Sequence, residues 1–189
     1  MNLILASYSR ARAALLQAAG YTFSQQPSGI DERPYRSGED PGRYVEELAR
    51  GKAEAVAPRF PDSIILAADT CLYLDGKTYG KPADLEGAVQ MLLALGGRTH
   101  LLVTGICVIA PEGRAAYSGH DAVHVTMRRW SEAQVRRHVA IAEPLPYAGA
   151  YALQGEGCAM IARLEGDPNT VIGLPLALVD QLVAKAGYA

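Results

Sequence analysis

The sequence predicts an α/β fold, because segments with the pattern of strands alternate with segments with the pattern of helices along its whole length. Short apolar runs bounded by turn residues indicate buried strands, and apolar residues spaced by three and four indicate helices that cover a sheet. No internal repeat and no linker interrupts the alternation. The 189 residues therefore predict a single domain, residues 1–189.

The first elements follow from caps and apolar runs. Residues 2–6 form an apolar run that predicts a buried strand, and a helix is predicted over residues 10–19, with Ser9 as its N-cap and Gly20 as its left-handed stop. After a polar, turn-rich stretch, the next helix is predicted to run from its cap Asp40 to Ala57. The chain thus begins as strand, helix, loop and helix.

The most apolar segment, residues 64–68, predicts a central strand that is buried on both faces and ends at Asp69 and Thr70. The dipeptide Asp75-Gly76 then predicts the tight turn of a hairpin over residues 72–79. A capping box formed by Ser131 and Gln134 marks the start of a later helix. The remaining predicted elements are a helix ending at Gly96-Gly97, strands over 99–110 and 115–127, loop and strand over 143–172, and a helix over 174–186.

Composition excludes several classes of protein. With 18 basic and 20 acidic residues the formal net charge is −2, so there is no global basic field for a nucleic-acid polymer. No stretch reaches the roughly 20 apolar residues of a membrane span, and the N-terminus lacks the pattern of a signal peptide. The three scattered cysteines indicate neither a disulfide framework nor a CxxC metal site. We therefore expect a cytoplasmic protein with no membrane partner.

Two hydroxyls and two guanidinium groups cluster where the first predicted helix begins, at Ser7, Ser9, Arg10 and Arg12. Orphan N–H groups and the helix dipole both favour an anion at such an end. A capped helix with surface arginines is the alternative interpretation of this segment alone.

Three further charged residues are candidates for a site. At 100° per residue Lys52 falls on the apolar face of its helix with Val45 and Val56, so it either faces a cleft that holds carboxylates or phosphates or reaches past the core to solvent. Asp69 ends the central strand, where α/β sheets bind ligands, or it caps the strand. Lys81 lies in a stiff turn and is, taken alone, a solvated surface lysine.

The absence of other motifs narrows the chemistry. The sequence has neither a P-loop nor a G-x-S-x-G elbow, and His120 and His124 on one strand would lie about 13 Å apart, too far to share an ion. What remains is a crevice with an anion-binding helix end, acidic side chains at 31, 32 and 69, and lysines at 52 and 81. That combination suits a metal-chelated polyphosphate.

Short blocks of residues are distributed along nearly the whole chain in a fixed order. The main blocks are Leu5-Ala6-Ser7-Tyr8-Ser9, Asp31-Glu32, Ala68-Asp69-Thr70, Gly80-Lys81-Pro82, Gly97-Arg98-Thr99-His100, Thr104-Gly105, Ala148-Gly149-Ala150-Tyr151 and Gly173-Leu174-Pro175-Leu176. In their order and spacing these blocks resemble the Maf family of nucleotide pyrophosphatases. The resemblance implies a two-lobed fold with a long mixed central sheet flanked by helices, similar to inosine triphosphate pyrophosphatases. It also implies an active-site cleft between the lobes for one nucleotide and a divalent metal cation, Mg²⁺ or Mn²⁺, and it allows for a homodimer.

The implied activity is a house-cleaning hydrolysis of a nucleoside triphosphate between its α and β phosphates, which gives the nucleoside monophosphate and pyrophosphate. The resemblance assigns catalytic roles to Asp69, Glu32, Lys52, Lys81 and Arg12, metal binding to Asp69 and Glu32, and substrate binding to Ser7, Ser9, Ala11, Thr70 and Gln154. Which carboxylate is the general base stays open. The alternative from another class is a nucleotide-binding regulator of septum formation with little turnover.

Three positions bear on the preferred base. One subgroup of the family, which prefers dTTP and UTP, carries arginine, threonine and glutamine where this chain has Ala11, Thr70 and Gln154. Another prefers 7-methyl-GTP and carries tryptophan, glutamine and glutamate there, with a tail like residues 164–170. Since the cationic methylguanine would gain from a tryptophan and a carboxylate that this chain lacks, we expect dTTP and UTP to be preferred with weak selectivity, and 7-methyl-GTP to be the alternative.

Overall fold

The computed structural model describes residues 2–153 and 155–188, and within them it contains one mixed sheet of seven strands. The strands are β1 (Asn2–Leu5), β2 (Phe23–Gln25), β3 (Ser63–Leu74), β4 (Lys77–Tyr79), β5 (Thr99–Ile109), β6 (Ala116–Met127) and β7 (Ile161–Glu165). The α-helices are α1 (Arg10–Ala18), α2 (Pro41–Val56), α3 (Leu85–Leu95), α4 (Glu132–Val139), α5 (Pro168–Ile172) and α6 (Leu176–Lys185). The predicted α/β fold with a long mixed central sheet is confirmed.

The helix caps and the hairpin turn that the sequence predicts are also present in the structure. The side chain of Ser9 accepts the Arg12 amide at the start of α1, and Ser131 and Gln134 form the capping box of α4. Asp75 and Gly76 have φ of 52° and 78°, as a primed hairpin turn requires. Two short elements, β2 and α5, were not predicted, since three and five residues are too few to carry a periodic pattern.

The strands follow the order β2-β1-β3-β5-β6-β7, and β4 pairs with β3. Strand β1 is parallel to both of its neighbours, whereas every pair from β3 to β7 is antiparallel. Helix α2 packs on one face of the sheet, against β3 and β5. The helix can approach the sheet closely because Gly105 has no side chain. A Cβ on Gly105 would lie 2.5 Å from the carbonyl carbon of Val45. Helix α6 packs on the other face, where Val179 and Leu182 join the core around Leu66.

The central strand β3 is longer than predicted. Residues 64–68 were expected to form a strand that ends at Asp69 and Thr70, but β3 continues to Leu74 and places both residues in its interior, paired with Gly105 and Thr104 of β5. The prediction was wrong because it followed the apolar run. The strand continues through polar residues because β5, and then β4, supply hydrogen-bonding partners.

One edge of β3 has a gap. Strand β1 pairs with residues 63–66 and β4 with residues 72–74, both on the edge opposite β5. Between them, residues 67–71 have no strand on that edge within the described chain. The sheet is therefore open beside the middle of its central strand.

No helix in the described ranges is long and apolar enough to cross a membrane.

Candidate functional site

A cleft of about 810 Å³ lies at this gap, between the residues that follow β1 and those that follow β4. The predicted site residues that line it are Ser7, Ser9, Ala11, Arg12, Glu32, Lys52, Asp69, Thr70 and Lys81. Gln154 lies outside the described residues. Asp31 is exposed and is not among the residues that line the cleft. The structure thus brings together side chains from five separate segments of the chain.

The gap explains how one cleft reaches both faces of the sheet. Successive side chains of a strand point to opposite faces. Asp69 lies on the face covered by α2, where it contacts Lys52, and Thr70 lies on the other face, where it contacts Arg12 of α1. Because no strand fills the edge here, both side chains line the same cleft.

On the α2 side, Lys52 pairs with two carboxylates. Its Nζ atom contacts Asp69 and lies 2.7 Å from Oε1 of Glu32. The Lys52 side chain is 12% exposed, so it is an inward-facing ion-pair partner and does not extend to solvent. Burial raises the pKa of Asp69, and the charge of Lys52 opposes that rise. A carboxylate with a raised pKa accepts a proton from water more readily.

On the α1 side, the cleft meets a helix N-terminus. The Ser7 hydroxyl accepts a hydrogen bond from the Ser9 amide at 3.1 Å. The Ser9 hydroxyl caps the helix by accepting a hydrogen bond from the Arg12 amide. The first amides of α1, at Arg10 and Ala11, have no intrahelical carbonyl to bind. Together with the Arg12 guanidinium, which also lines the cleft, they form an electropositive end that suits phosphate oxygens.

Lys81 differs from the other cations. It is exposed, lies between β4 and α3, and has no hydrogen bond or ion pair with the residues that the structure describes. Its neighbour Gly80 is fixed, because its carbonyl accepts the Gly149 amide at 3.0 Å. The backbone beside Lys81 is therefore fixed at the cleft, and the Lys81 ammonium is free to bind an anion.

The donors for a metal ion are few. In the described ranges no group of three or more His, Cys, Asp or Glu side chains is arranged to hold one. Glu32 and Asp69 are two carboxylates that converge on one point, now occupied by the Lys52 ammonium. Two carboxylates are enough for an ion that takes its other ligands from phosphates and water.

Some residues of the cleft and its supports were not identified as functional from the sequence. Tyr151 lines the cleft and is hydrogen-bonded to the buried His100 at 2.7 Å. Thr104 is fully buried beside Thr70 on the neighbouring strand β5, and the Gly173 carbonyl accepts a hydrogen bond from Arg12. A polar side chain inside the otherwise apolar stretch 101–109, as Thr104 is, was the available signal.

Known sequences match nearly the whole chain. The family described as "Maf-like protein" matches residues 2–186. The chain is 44% identical to the dTTP/UTP pyrophosphatase of Moorella thermoacetica, an alignment that covers 98% of this chain and 95% of the relative. It is 41% identical to the protein of the same name from Pelotomaculum thermopropionicum, with 99% and 97% covered. For the one from Deinococcus radiodurans the identity is also 41%, with 100% and 94% covered.

Solved structures share the fold at low identity. The Ham1 protein of Staphylococcus aureus aligns with a TM-score of 0.52 and 16% identity over 85% of this chain and 80% of its own. A HAM1 protein from Coxiella burnetii aligns with a TM-score of 0.53 and 15% identity over 98% and 99%. At these identities the likeness concerns the arrangement of strands and helices alone.

Proposed function

The chain belongs to the Maf-like protein family, and we propose that it is a nucleoside triphosphate pyrophosphatase that cleaves between the α and β phosphates. The observation that carries the proposal is the cleft at the β3 gap, where Lys52 joins two carboxylates and Arg12 and Lys81 face the same space. Cations that can neutralise phosphates and a buried carboxylate that can accept a proton are the parts this reaction requires.

Each wall of the cleft would have its own task. The N-terminus of α1, with Ser7, Ser9 and Arg12, binds phosphate oxygens. Lys81 approaches the same anion from the β4 side and offsets the charge that develops on the leaving pyrophosphate. Asp69 orients the attacking water and takes its proton, because its burial raises its pKa. Lys52 holds Asp69 and Glu32 in place between α2 and β3.

A divalent cation fits this donor set. Lys52 contacts Oδ1 of Asp69 and Oε1 of Glu32, so the second oxygen of each carboxylate is left as a hard ligand, and Mg²⁺ or Mn²⁺ binds through one or two carboxylates together with substrate phosphates and water. When bound, the ion would neutralise phosphate charge and polarise the bond to be cleaved. The two carboxylates would be its protein ligands.

We propose dTTP and UTP as the preferred substrates. The three relatives compared above are named dTTP/UTP pyrophosphatases, and Thr70 keeps the residue of the pyrimidine-preferring subgroup. Ala11 lines the cleft with a methyl group where that subgroup has arginine, so we expect weak selectivity. The 7-methyl-GTP alternative has only the tail over residues 164–170 in its favour.

The proposed partner is a free nucleotide, and the proposed location is the cytoplasm. Cys71, Cys107 and Cys158 are all free thiols, as in proteins of reducing compartments. The formal charge of −2 gives no support to a nucleic-acid polymer as partner. The single two-lobed domain and the homodimer that the resemblance allows for stay predictions.

The test is product analysis with purified protein, Mg²⁺ or Mn²⁺, and a panel of nucleoside triphosphates. We expect pyrophosphate and the nucleoside monophosphate as primary products. Orthophosphate and a nucleoside diphosphate would contradict cleavage at the proposed bond. Tight nucleotide binding without release of any product would favour the regulator.

A further inference from the structure

The Arg12 guanidinium is held only by neutral groups in the described chain. Its Nε donates to the Gly173 carbonyl at 2.8 Å, its Nη2 to the Thr70 hydroxyl at 3.1 Å and its Nη1 to the Ser7 hydroxyl at 3.4 Å. Asp69 and Glu32 influence it only from a distance. The hydrogen bonds therefore fix the direction of the guanidinium and leave its charge for a ligand in the cleft.

The direction of the next hydrogen bonds follows from counting protons. A threonine hydroxyl has one hydrogen to donate. Thr104 uses its hydrogen on the carbonyl of Thr170, at 2.8 Å, so in its 2.9 Å contact with Thr70 it must accept. The Thr70 hydrogen thus points to Thr104, and the lone pairs of Thr70 are left for Arg12. The chain of donors runs one way, from Arg12 through Thr70 and Thr104 to Thr170.

The far end of this chain is anchored in the core. Thr104 and Thr170 are fully buried, and Thr104 pairs with Thr70 across β3 and β5. The Thr170 hydroxyl donates to the Asp121 carboxylate on β6. Thr104 is not among the residues that line the cleft, so it can affect a ligand only through the residues it contacts, and of its two hydrogen-bond partners Thr70 is the one that also binds Arg12.

Gly173 supplies the space for this arrangement. It follows α5 with a φ of 100°, and a Cβ there would lie 3.0 Å from the Thr70 hydroxyl oxygen and 3.2 Å from Nε of Arg12. Only a residue without a side chain lets its carbonyl accept from Arg12 at this point.

We propose that Thr104 is a positioning residue that sets the orientation of Arg12 towards the phosphates of the substrate. The inference rests on the proposed function, because it takes a polyphosphate as the ligand of Arg12. Without the Thr104 hydroxyl, the Thr70 hydrogen loses its acceptor and Thr70 is free to turn away from Arg12. Anion binding then weakens although every residue of the cleft is still present.

The test compares Thr104→Val with Thr104→Ser and with a matched control. Thr99 and Thr126 form another hydroxyl pair between β5 and a neighbouring strand, at 2.9 Å and exposed, and Thr99 does not line the cleft, so Thr99→Val is the control. For Thr104→Val we expect the KM for dTTP and the inhibition constant of pyrophosphate to rise about tenfold, or about 1.4 kcal/mol. The value of kcat should change less. Thr104→Ser and Thr99→Val should stay within about twofold of wild type.

Two results would overturn the proposal. If Thr104→Ser is as impaired as Thr104→Val, the methyl group and its packing matter, and the hydroxyl does not. If Thr104→Val lowers the melting temperature but keeps the wild-type KM, the role is structural. Should the wild type cleave no triphosphate, the proposed function fails, and calorimetric binding of inorganic triphosphate still tests Thr104: equal Kd for wild type and Thr104→Val rejects the proposal, and a weaker Kd supports it.

Discussion

The ammonium of Lys52 on α2 pairs with the carboxylate of Asp69 on β3, and their side chains are only 12% and 10% exposed. Taking two charges out of water has a cost that their attraction offsets only while both are present. Removing either one therefore leaves a buried charge. At this pair, unlike at Lys81, catalysis and stability are coupled.

Replacing the buried carboxylate tests the base. Asp69→Asn keeps the shape of the side chain but removes the charge that would bind a metal or accept a proton. We expect turnover to fall at least about 10²-fold, measured as pyrophosphate release at saturating nucleotide. The variant should remain folded, because Lys52 retains Glu32 as a partner. A folded Asp69→Asn protein with near-wild-type turnover would rule out this role.

Lys52→Met removes the cation from the same pair and leaves Asp69 buried without it. We expect strong loss of turnover and a free energy of unfolding lower by roughly 3 kcal/mol, measured by urea denaturation at neutral pH. The control is the double variant with Asp69→Asn, which removes both charges and should recover much of that stability but no activity. Additive losses of stability would show that the two charges are not coupled.

Lys81 should behave differently, since no described residue pairs with it. Lys81→Met is expected to lower kcat/KM about 10²-fold, by loss of a charge contact to the leaving group, while the melting temperature stays within a few degrees. Lys77→Met is the matched control, because Lys77 is also exposed and lies on the adjacent β4 but does not line the cleft. Equal kinetics for the two variants would make Lys81 a solvated surface lysine.

Base preference is decided by comparing kcat/KM for dTTP, UTP and 7-methyl-GTP. We expect the two pyrimidine nucleotides to lead by a modest factor, and Ala11→Arg to increase their lead, since it restores the side chain of the pyrimidine-preferring subgroup. A tenfold or greater lead of 7-methyl-GTP, about 1.4 kcal/mol of discrimination, would reverse the assignment and give weight to residues 164–170.

The buried His100 predicts a specific loss of stability in acid. Burial lowers its pKa from 6.5 to about 4, so the folded protein keeps the ring neutral while the unfolded chain takes up a proton. Its contribution is complete above pH 6.5 and is lost as the pH falls through about 4, a change of about 3 kcal/mol. The free energy of unfolding, measured by urea denaturation, should therefore fall more steeply between pH 7 and pH 4 for wild type than for His100→Gln. Parallel curves would contradict the assignment.

Local signals made much of the fold predictable. The Ser9 cap, the Ser131 and Gln134 box and the Asp75-Gly76 turn depend on neighbouring residues, so their pattern is present in the sequence itself. The true end of β3 depends on pairing with β4 and β5, which no local pattern records. The mixed order of the sheet came from the family resemblance and not from periodicity.

Some features of the candidate site were likewise predictable from the sequence, and others were not. The inward position of Lys52 follows from helix periodicity, and the structure supplies the identity of its partners. The anchoring of Arg12 by Thr70 and Gly173 could not be derived, because it joins residues 58 and 161 positions away. Such contacts become visible only once the topology is known.

The long distance along the sequence between Arg12 and its hydrogen-bond partners also determines when the cleft can form. The shortest hydrogen bond of the Arg12 side chain goes to the Gly173 carbonyl. Tyr21, which follows α1, donates to Asp180 and packs its ring against Tyr188. N-terminal and C-terminal segments of the chain therefore stabilise each other. Contacts of such high sequence separation close late in folding, because nearly the whole chain must be ordered between them. During synthesis, β1 and α1 leave the ribosome long before their C-terminal partners exist. The anion-binding end of α1 is thus completed only after Gly173, 161 residues further along the chain, has been released.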